Sequence, residues 1–201
     1  MLFRSEEKQQ KPIKIILVGS GGVGKTTLIN TFFDQDFEGE TQPTVAPAFC
    51  NATVKTSDQT DVELHIWDTA GQERFQSVGT MFYRESNIAL VCFDFEQKST
   101  IASWVERVRA NAPSECIIFL VLTKEDMLDS EQVSEILSES DQMLKDYGAK
   151  EFYMTSSSTG KGVKQLFSAC AECYNEIYCS NTPDVVPIEA QPHQRDRKSV
   201  V

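Results

Sequence analysis

Short apolar runs alternate along the chain with segments whose apolar residues are spaced for one face of a helix. Continuous apolar runs of this length are typical of strands that are covered on both faces of a sheet. Such runs predict strands at residues 13–18, 88–93, 117–122 and 151–154. Two further segments, residues 49–55 and 62–67, alternate apolar and polar positions on either side of a turn at residues 57–58, which predicts a hairpin.

Helical spacing fills the segments between these strands, and helices are predicted at residues 27–33 and 161–179. Two more helices are marked by apolar faces, which consist of Ile101, Trp104, Val105 and Val108, and of Val133, Ile136, Leu137 and Leu144. Strands that alternate with helices predict an α/β fold with a six-stranded, mostly parallel sheet. Helices are expected on both faces, and the hairpin at one edge. Ligands of such sheets bind where the carboxyl ends of the strands meet.

Residues 19–26 read Gly-Ser-Gly-Gly-Val-Gly-Lys-Thr and lie between the first strand and the first helix. In this context the pattern G-x-x-x-x-G-K-[ST] is typical of a loop that binds nucleotide phosphates, because glycines let backbone N–H groups approach the oxygens. Lys25 is expected to reach the β- and γ-phosphates, and the Thr26 hydroxyl to ligate Mg²⁺. The loop residues predicted to bind the nucleotide are Gly21, Gly22, Val23, Gly24, Lys25, Thr26 and Thr27.

Composition limits the class of protein. The 201 residues suffice for one sizeable core, and the formal net charge of −11 argues against nucleic acid as a partner. Cys92 and Cys116 lie in apolar, strand-like runs, and Cys170 and Cys173 share the apolar face of the last helix. These positions favour core packing over a disulfide framework, a redox site or a zinc site. No apolar stretch reaches membrane-spanning length, so we expect an intracellular, cytoplasmic protein.

The third predicted strand is followed by the pattern D-x-x-G at residues 68–71. Asp68, at a strand end near the phosphate loop, is suited to holding a metal ion through a water molecule. Gly71 can offer its backbone N–H to a γ-phosphate, and Gln72 can orient a water molecule for in-line attack. These residues predict that the terminal phosphate is sensed and cleaved.

Residues 66–75 read I-W-D-T-A-G-Q-E-R-F and, together with the phosphate loop, resemble the small GTPases of the Ras superfamily, most closely the Rab branch. The resemblance covers about residues 12–179 and implies a single P-loop GTPase domain, with an N-terminal extension at residues 1–11 and a flexible tail at residues 180–201. It also implies that the chain binds GTP or GDP with Mg²⁺ and hydrolyses GTP.

The resemblance assigns roles to two residues between the first helix and the hairpin. Thr44 matches the threonine of the first switch segment, whose hydroxyl completes the Mg²⁺ shell when GTP is bound. Phe37 matches the aromatic residue beside the guanine ring. The alternative interpretations are an ordinary loop threonine and a core phenylalanine. Residues 45–49 occupy the position of the effector-binding region.

The chain departs from the family pattern where the base is read. Residues 123–126 read Thr-Lys-Glu-Asp in place of N-K-x-D. Asp126 keeps the carboxylate, which can accept from the N1 and N2 hydrogens of guanine and so selects guanine over adenine. The stem of Lys124 can lie over the ring, whereas Thr123 lacks the amide that ties neighbouring loops together.

A second departure lies in residues 155–158, which read Thr-Ser-Ser-Ser where the family usually has S-A-K. The backbone N–H of Ser157 can still bond the guanine carbonyl, but Ser158 lacks the stem that a lysine packs on the base. We therefore expect a nucleotide affinity weaker by about 1 kcal/mol than that of a typical Rab. The residues of this segment expected at the base are Ser156, Ser157 and Ser158.

These expectations describe a molecular switch in vesicle trafficking, in which GTP orders two loops that effector proteins recognise. A monomer is expected to act with effectors, a nucleotide exchange factor and a GTPase-activating protein that supplies an arginine. The alternatives are a guanine-nucleotide-binding scaffold without hydrolysis and an unlipidated GTPase outside membrane traffic. The sequence ends Arg-Asp-Arg-Lys-Ser-Val-Val without a prenylation motif, which leaves membrane contact open.

Overall fold

A six-stranded sheet lies at the centre of the protein. The structure is a computed structural model that describes residues 11–35, 48–68 and 80–176. The strands are β1 (Ile13–Val18), β2 (Ala48–Lys55), β3 (Asp61–Asp68), β4 (Ile88–Phe93), β5 (Ile117–Leu122) and β6 (Glu151–Met154). Their spatial order is β2-β3-β1-β4-β5-β6, in which β2 pairs antiparallel with β3 at one edge and every other pair is parallel. The predicted mostly parallel sheet with a hairpin at its edge is confirmed.

Five α-helices are described: α1 (Lys25–Phe32), α2 (Thr80–Tyr83), α3 (Ile101–Asn111), α4 (Ser130–Tyr147) and α5 (Val163–Tyr174). Helix α4 begins three residues before the first apolar residue of its predicted face. Its first turn is polar, so the apolar spacing did not indicate it. Asp129 caps this turn by accepting from the backbone N–H of Gln132, whose side chain in turn accepts from the backbone of Asp129. Among the described residues, no helix is long and apolar enough to cross a membrane.

The core consists of one apolar layer on each face of the sheet. Residues that alternate along β1 enter opposite layers, so Leu17 packs with α1 and α5 on one face and Val18 packs with α3 and α4 on the other. Both side chains are fully buried, and burial of an aliphatic side chain of this size contributes about 1.5–3 kcal/mol. The predicted placement of helices on both faces is therefore confirmed.

Four cysteines complete these layers. Cys92, Cys170 and Cys173 pack in the layer of α1 and α5, and Cys116 packs in the opposite layer. Burial raises the pKa of Cys92 to about 12 and that of Cys116 to about 11, so both thiols stay protonated at neutral pH. Core packing, as predicted, is the role of these side chains.

The strand order defines the place of the site. The chain passes from β1 through α1 to the β2–β3 edge, and it then returns to lay β4 on the other side of β1. A crevice opens at the carboxyl end of a strand where the order reverses in this way. The phosphate loop (residues 19–26) follows β1 at that point, and Asp68 is the last residue of β3.

Candidate nucleotide-binding site

The phosphate loop fits against β4 because its first residue has no side chain. A Cβ atom on Gly19 would lie 2.1 Å from the carbonyl oxygen of Cys92. At the other end of the loop, Gly24 has a φ angle of 95°, in the left-handed region that L side chains rarely adopt, and it caps α1. The two glycines thus bring the loop close to the sheet and turn it into the helix.

Lys25 is held inside this loop. Its Nζ donates to the carbonyl oxygens of Gly19 at 2.7 Å and Ser20 at 2.8 Å, and the residue is 5 % exposed. Burial lowers the pKa of Lys25, although neighbouring groups, including Asp68, act in the opposite direction. A buried ammonium group inside the phosphate loop is suited to binding phosphate oxygens.

Thr26 and Asp68, two of the residues predicted to hold Mg²⁺, contact each other. The Thr26 hydroxyl donates to Oδ2 of Asp68 at 2.6 Å, and Asp68 is 2 % exposed. Its other oxygen, Oδ1, is buried and has no hydrogen-bond partner in the part of the chain that the structure describes. Burial raises the pKa of Asp68, against the hydrogen bond from Thr26 and the charge of Lys25. A hydroxyl beside an unsatisfied carboxylate oxygen is the oxygen-rich environment that Mg²⁺ prefers, so these residues fit the ion.

The first base loop (residues 123–126) is tied to the phosphate loop by Thr123. Its buried hydroxyl lies 2.6 Å from the carbonyl oxygen of Val23, to which it donates, and 3.1 Å from that of Phe93. The Thr123 hydroxyl therefore links the two loops at the position where the usual family pattern has an amide.

Lys124, the next residue, has a φ angle of 59°. Its Nζ lies 2.8 Å from Oδ2 of Asp94, the residue that follows β4. This ion pair fixes the lysine stem, whose predicted contact with a base stays a prediction.

Asp126 lies exposed at the end of the first base loop, where a ligand can reach it. Burial is the largest single influence and raises its pKa, but hydrogen bonds from the hydroxyls of Ser156 and Ser158 and from its own backbone together outweigh burial and lower the pKa overall. The carboxylate therefore stays ionised and able to accept at neutral pH. The second base loop (residues 155–158) thus contributes two hydroxyls, one of them from the serine that stands in place of a lysine.

The second base loop also contacts α1. The hydroxyl of Thr31 donates to the carbonyl oxygen of Ser157 at 3.1 Å, and Thr27 is buried on the same helix. The phosphate loop and both base loops therefore lie together at the carboxyl end of the parallel strands.

Four predicted site residues, Phe37, Thr44, Gly71 and Gln72, lie outside the described residues. The structure also reveals contacts that the sequence did not predict. Trp104 of α3 donates from its indole nitrogen to the Ser20 hydroxyl at 3.1 Å. Its apolar spacing indicated a core residue, and no pattern in the sequence indicated a partner in the phosphate loop.

The fold and the site together define a P-loop nucleotide-binding protein with a carboxylate suited to reading guanine. Two comparisons agree on the family. Residues 14–176 match the model of the Ras family. The chain is also 34 % identical to the GTP-binding protein ypt5 of Schizosaccharomyces pombe over 165 residues, which are 79 % of this chain and 76 % of that relative. The chain belongs to the Ras family.

Within that family the chain is a Rab-like small GTPase, a GTP/GDP switch in vesicle trafficking. It hydrolyses GTP, and its cofactors are the guanine nucleotide and Mg²⁺.

Proposed function

We propose that three parts of the described site share the work of this switch: the phosphate loop binds phosphates, Thr26 and Asp68 hold Mg²⁺, and the two base loops read guanine. The observation that carries this proposal is the cluster at the end of β1, in which the buried charges of Lys25 and Asp68 lie beside the half-buried Thr26. Buried charges without full compensation are costly in a stable core, and they mark sites where a ligand supplies the opposite charge.

The chemistry follows from the charges. Lys25 donates to phosphate oxygens while its carbonyl contacts hold it in place. The ion, when bound by Thr26 and Asp68, neutralises charge on the phosphates. Asp126 accepts from guanine, Lys124 covers the ring and Ser157 donates its N–H to the guanine carbonyl. The neighbouring Ser156 and Ser158 hold Asp126 in its ionised form.

The two switch segments take the remaining roles. Thr44 and Gly71 respond to the γ-phosphate, Phe37 packs beside the base and Gln72 orients the attacking water. Intrinsic hydrolysis is slow because the matched motifs hold no arginine that neutralises charge in the transition state. A GTPase-activating protein supplies it, and an exchange factor releases GDP.

An effector contacts the aromatic surface formed by Phe49, Trp67 and Phe82. The ring centroids of Phe49 and Trp67 lie 4.9 Å apart, and those of Trp67 and Phe82 lie 5.9 Å apart. Phe49 is 50 % exposed and the adjacent Met81 is 76 % exposed. Exposed aromatic residues supply much of the energy of protein interfaces, and this surface borders both switch segments in sequence.

We also propose that residues 12–179 form the GTPase domain, flanked by an extension at residues 1–11 and a tail at residues 180–201. The protein acts as a monomer at the surface of endomembranes, where its regulators and effectors determine the compartment.

The role of Gln72 is tested by single-turnover hydrolysis of GTP. Wild-type protein is expected to hydrolyse bound GTP slowly, whereas Gln72→Leu nearly abolishes hydrolysis, because leucine cannot orient water, and leaves the affinity for GTP unchanged. Gln76→Leu, a change of the same kind four residues away, serves as the control. Unchanged turnover in Gln72→Leu would refute the assigned role.

A further inference from the structure

An ion pair joins the two base loops outside the residues that read guanine. Lys161, three residues after the second base loop, places its Nζ 2.5 Å from Oε1 of Glu125 in the first base loop. The Glu125 side chain is 12 % exposed, and its other oxygen, Oε2, is buried without a hydrogen-bond partner among the residues described. This carboxylate therefore depends on Lys161 for its compensation, since a buried charge without a partner is costly.

Two backbone hydrogen bonds add to the connection that this ion pair makes between the base loops. The N–H of Glu125 donates to the carbonyl oxygen of Thr155 at 3.0 Å, and the N–H of Ser156 donates to the carbonyl oxygen of Lys161 at 3.0 Å. Lys161 thus holds the first base loop through its side chain and the second through its backbone. Together these contacts form a closed link between the two loops.

The residues bonded in this link are direct neighbours of those proposed to read the base. Asp126 follows Glu125, and Ser157 follows Ser156. We infer that Glu125 and Lys161 are positioning residues that set the distance between the Asp126 carboxylate and the Ser157 N–H, and so slow the release of guanine nucleotides. This inference rests on the proposed function of the base loops, and it gives a role to two residues that do not themselves contact the base.

The test compares the release rates of GDP and of IDP, whose base lacks the 2-amino group that Asp126 reads. In the full-length chain, Lys161→Met and Glu125→Gln are each expected to release GDP about fivefold faster, and IDP with a smaller increase, because IDP depends less on Asp126. Lys161→Arg keeps the charge and is expected to release GDP close to the wild-type rate.

The matched control is Lys164→Met. Lys164 lies three residues further on and pairs with Asp34 at 2.7 Å, with both side chains largely exposed and neither in a base loop. Its GDP release is expected to match that of the wild type. The double variant Glu125→Gln/Lys161→Met is expected to release GDP no faster than the single variants, because each change already breaks the same pair.

Two results would overturn the inference while leaving the proposed function intact. One is release of GDP by Lys161→Met at the rate of the Lys164→Met control. The other is an equal increase for GDP and IDP together with a lower melting temperature, which would indicate a merely structural pair. Wild-type protein that fails to bind GDP would instead refute the proposed function, and this inference with it.

Discussion

At the scale of single residues, Lys25 and Asp68 are buried charges whose ionised forms burial disfavours. For Asp68 the folded-state pKa is raised, so the folded state binds more protons than the unfolded chain and stability falls as pH rises from about 4, the unfolded value, through the raised pKa. For Lys25 the folded-state pKa is lowered, so stability rises with pH from that lowered pKa to the unfolded value of about 10.4. At neutral pH both charges cost stability until ligands offset them.

We therefore expect Asp68→Asn to have opposite effects with and without ligand. Without nucleotide and Mg²⁺, the variant loses less stability than the wild type as pH rises from about 4, because no buried carboxylate has to ionise. With GDP bound, removal of Mg²⁺ by EDTA speeds GDP release about 10–100-fold in the wild type but hardly in the variant, which has lost the carboxylate that helps to hold the ion. Chemical denaturation and GDP release measure the two effects.

Asp61→Asn is the control for this prediction. Asp61 lies at the opposite end of the same strand and pairs with Lys55 in an exposed position. The Asp61→Asn variant should release GDP faster on removal of Mg²⁺, as the wild type does. An Asp68→Asn variant whose GDP release speeds up on addition of EDTA as much as that of the wild type would contradict the assignment of this residue to the metal site.

The part of the candidate site that can be recognised from the sequence is the part that a single motif carries. The spacing from Gly19 to Thr26 is visible in the sequence because a single loop carries it. The contacts of Thr123 with Val23 and of Lys161 with Glu125 join residues 100 and 36 positions apart. Only the folded sheet brings such pairs together. The sequence therefore showed that the usual amide is missing at position 123, but not that the Thr123 hydroxyl contacts the phosphate loop.

At the scale of elements, the apolar runs predicted the bounds of β1, β4, β5 and β6 as the structure has them. Strands such as β4 and β5, which are buried on both faces, end where the apolar run ends. Helix ends were less visible. The first turn of α4 is polar and capped, so it carries no apolar signal. Helix α1 begins at Lys25, two residues before the prediction, because the loop turns directly into the helix at Gly24.

The turn before α5 gives a prediction at this scale. Gly162 caps the helix with a φ angle of 74°, and a Cβ there would lie 2.3 Å from the carbonyl oxygen of Met154, at the end of β6. Gly160 has a similar φ of 78°, but a Cβ there would meet no atom within 4 Å. Each change to alanine should cost about 1 kcal/mol for the left-handed backbone. Gly162→Ala should cost more, because the backbone must also shift.

This shift should reach the nucleotide, because Met154 immediately precedes the second base loop. We therefore expect faster GDP release from Gly162→Ala than from Gly160→Ala, as well as a lower free energy of unfolding. Urea denaturation and GDP release on both variants provide the measurement. Equal stability and equal release in the two variants would show that the close approach to Met154 has no consequence for the site.

At the scale of the whole molecule, the sheet brings together the carboxyl ends of five parallel strands, β1, β3, β4, β5 and β6. The segment at or directly after each of these ends carries part of the candidate site. Lys25, Asp68 and Asp126 lie in three different segments of the chain, yet the folded sheet gathers those segments at that edge. The family membership follows from this combination together with the comparisons, since a phosphate loop alone also occurs in ATP-dependent proteins. Guanine selection is thus the property that depends on the whole fold.

Competition between purine nucleotides tests this central claim most directly. Fluorescent GDP bound to the full-length chain with Mg²⁺ is displaced by GDP, GTP, ADP or ATP, with Asp126→Asn measured in parallel. We expect GDP and GTP to compete about a thousandfold better than ADP and ATP, because adenine leaves the Asp126 carboxylate without its donors. The preference should largely disappear in Asp126→Asn. Competition by ATP as strong as that by GTP, or a preference unchanged in Asp126→Asn, would contradict the account.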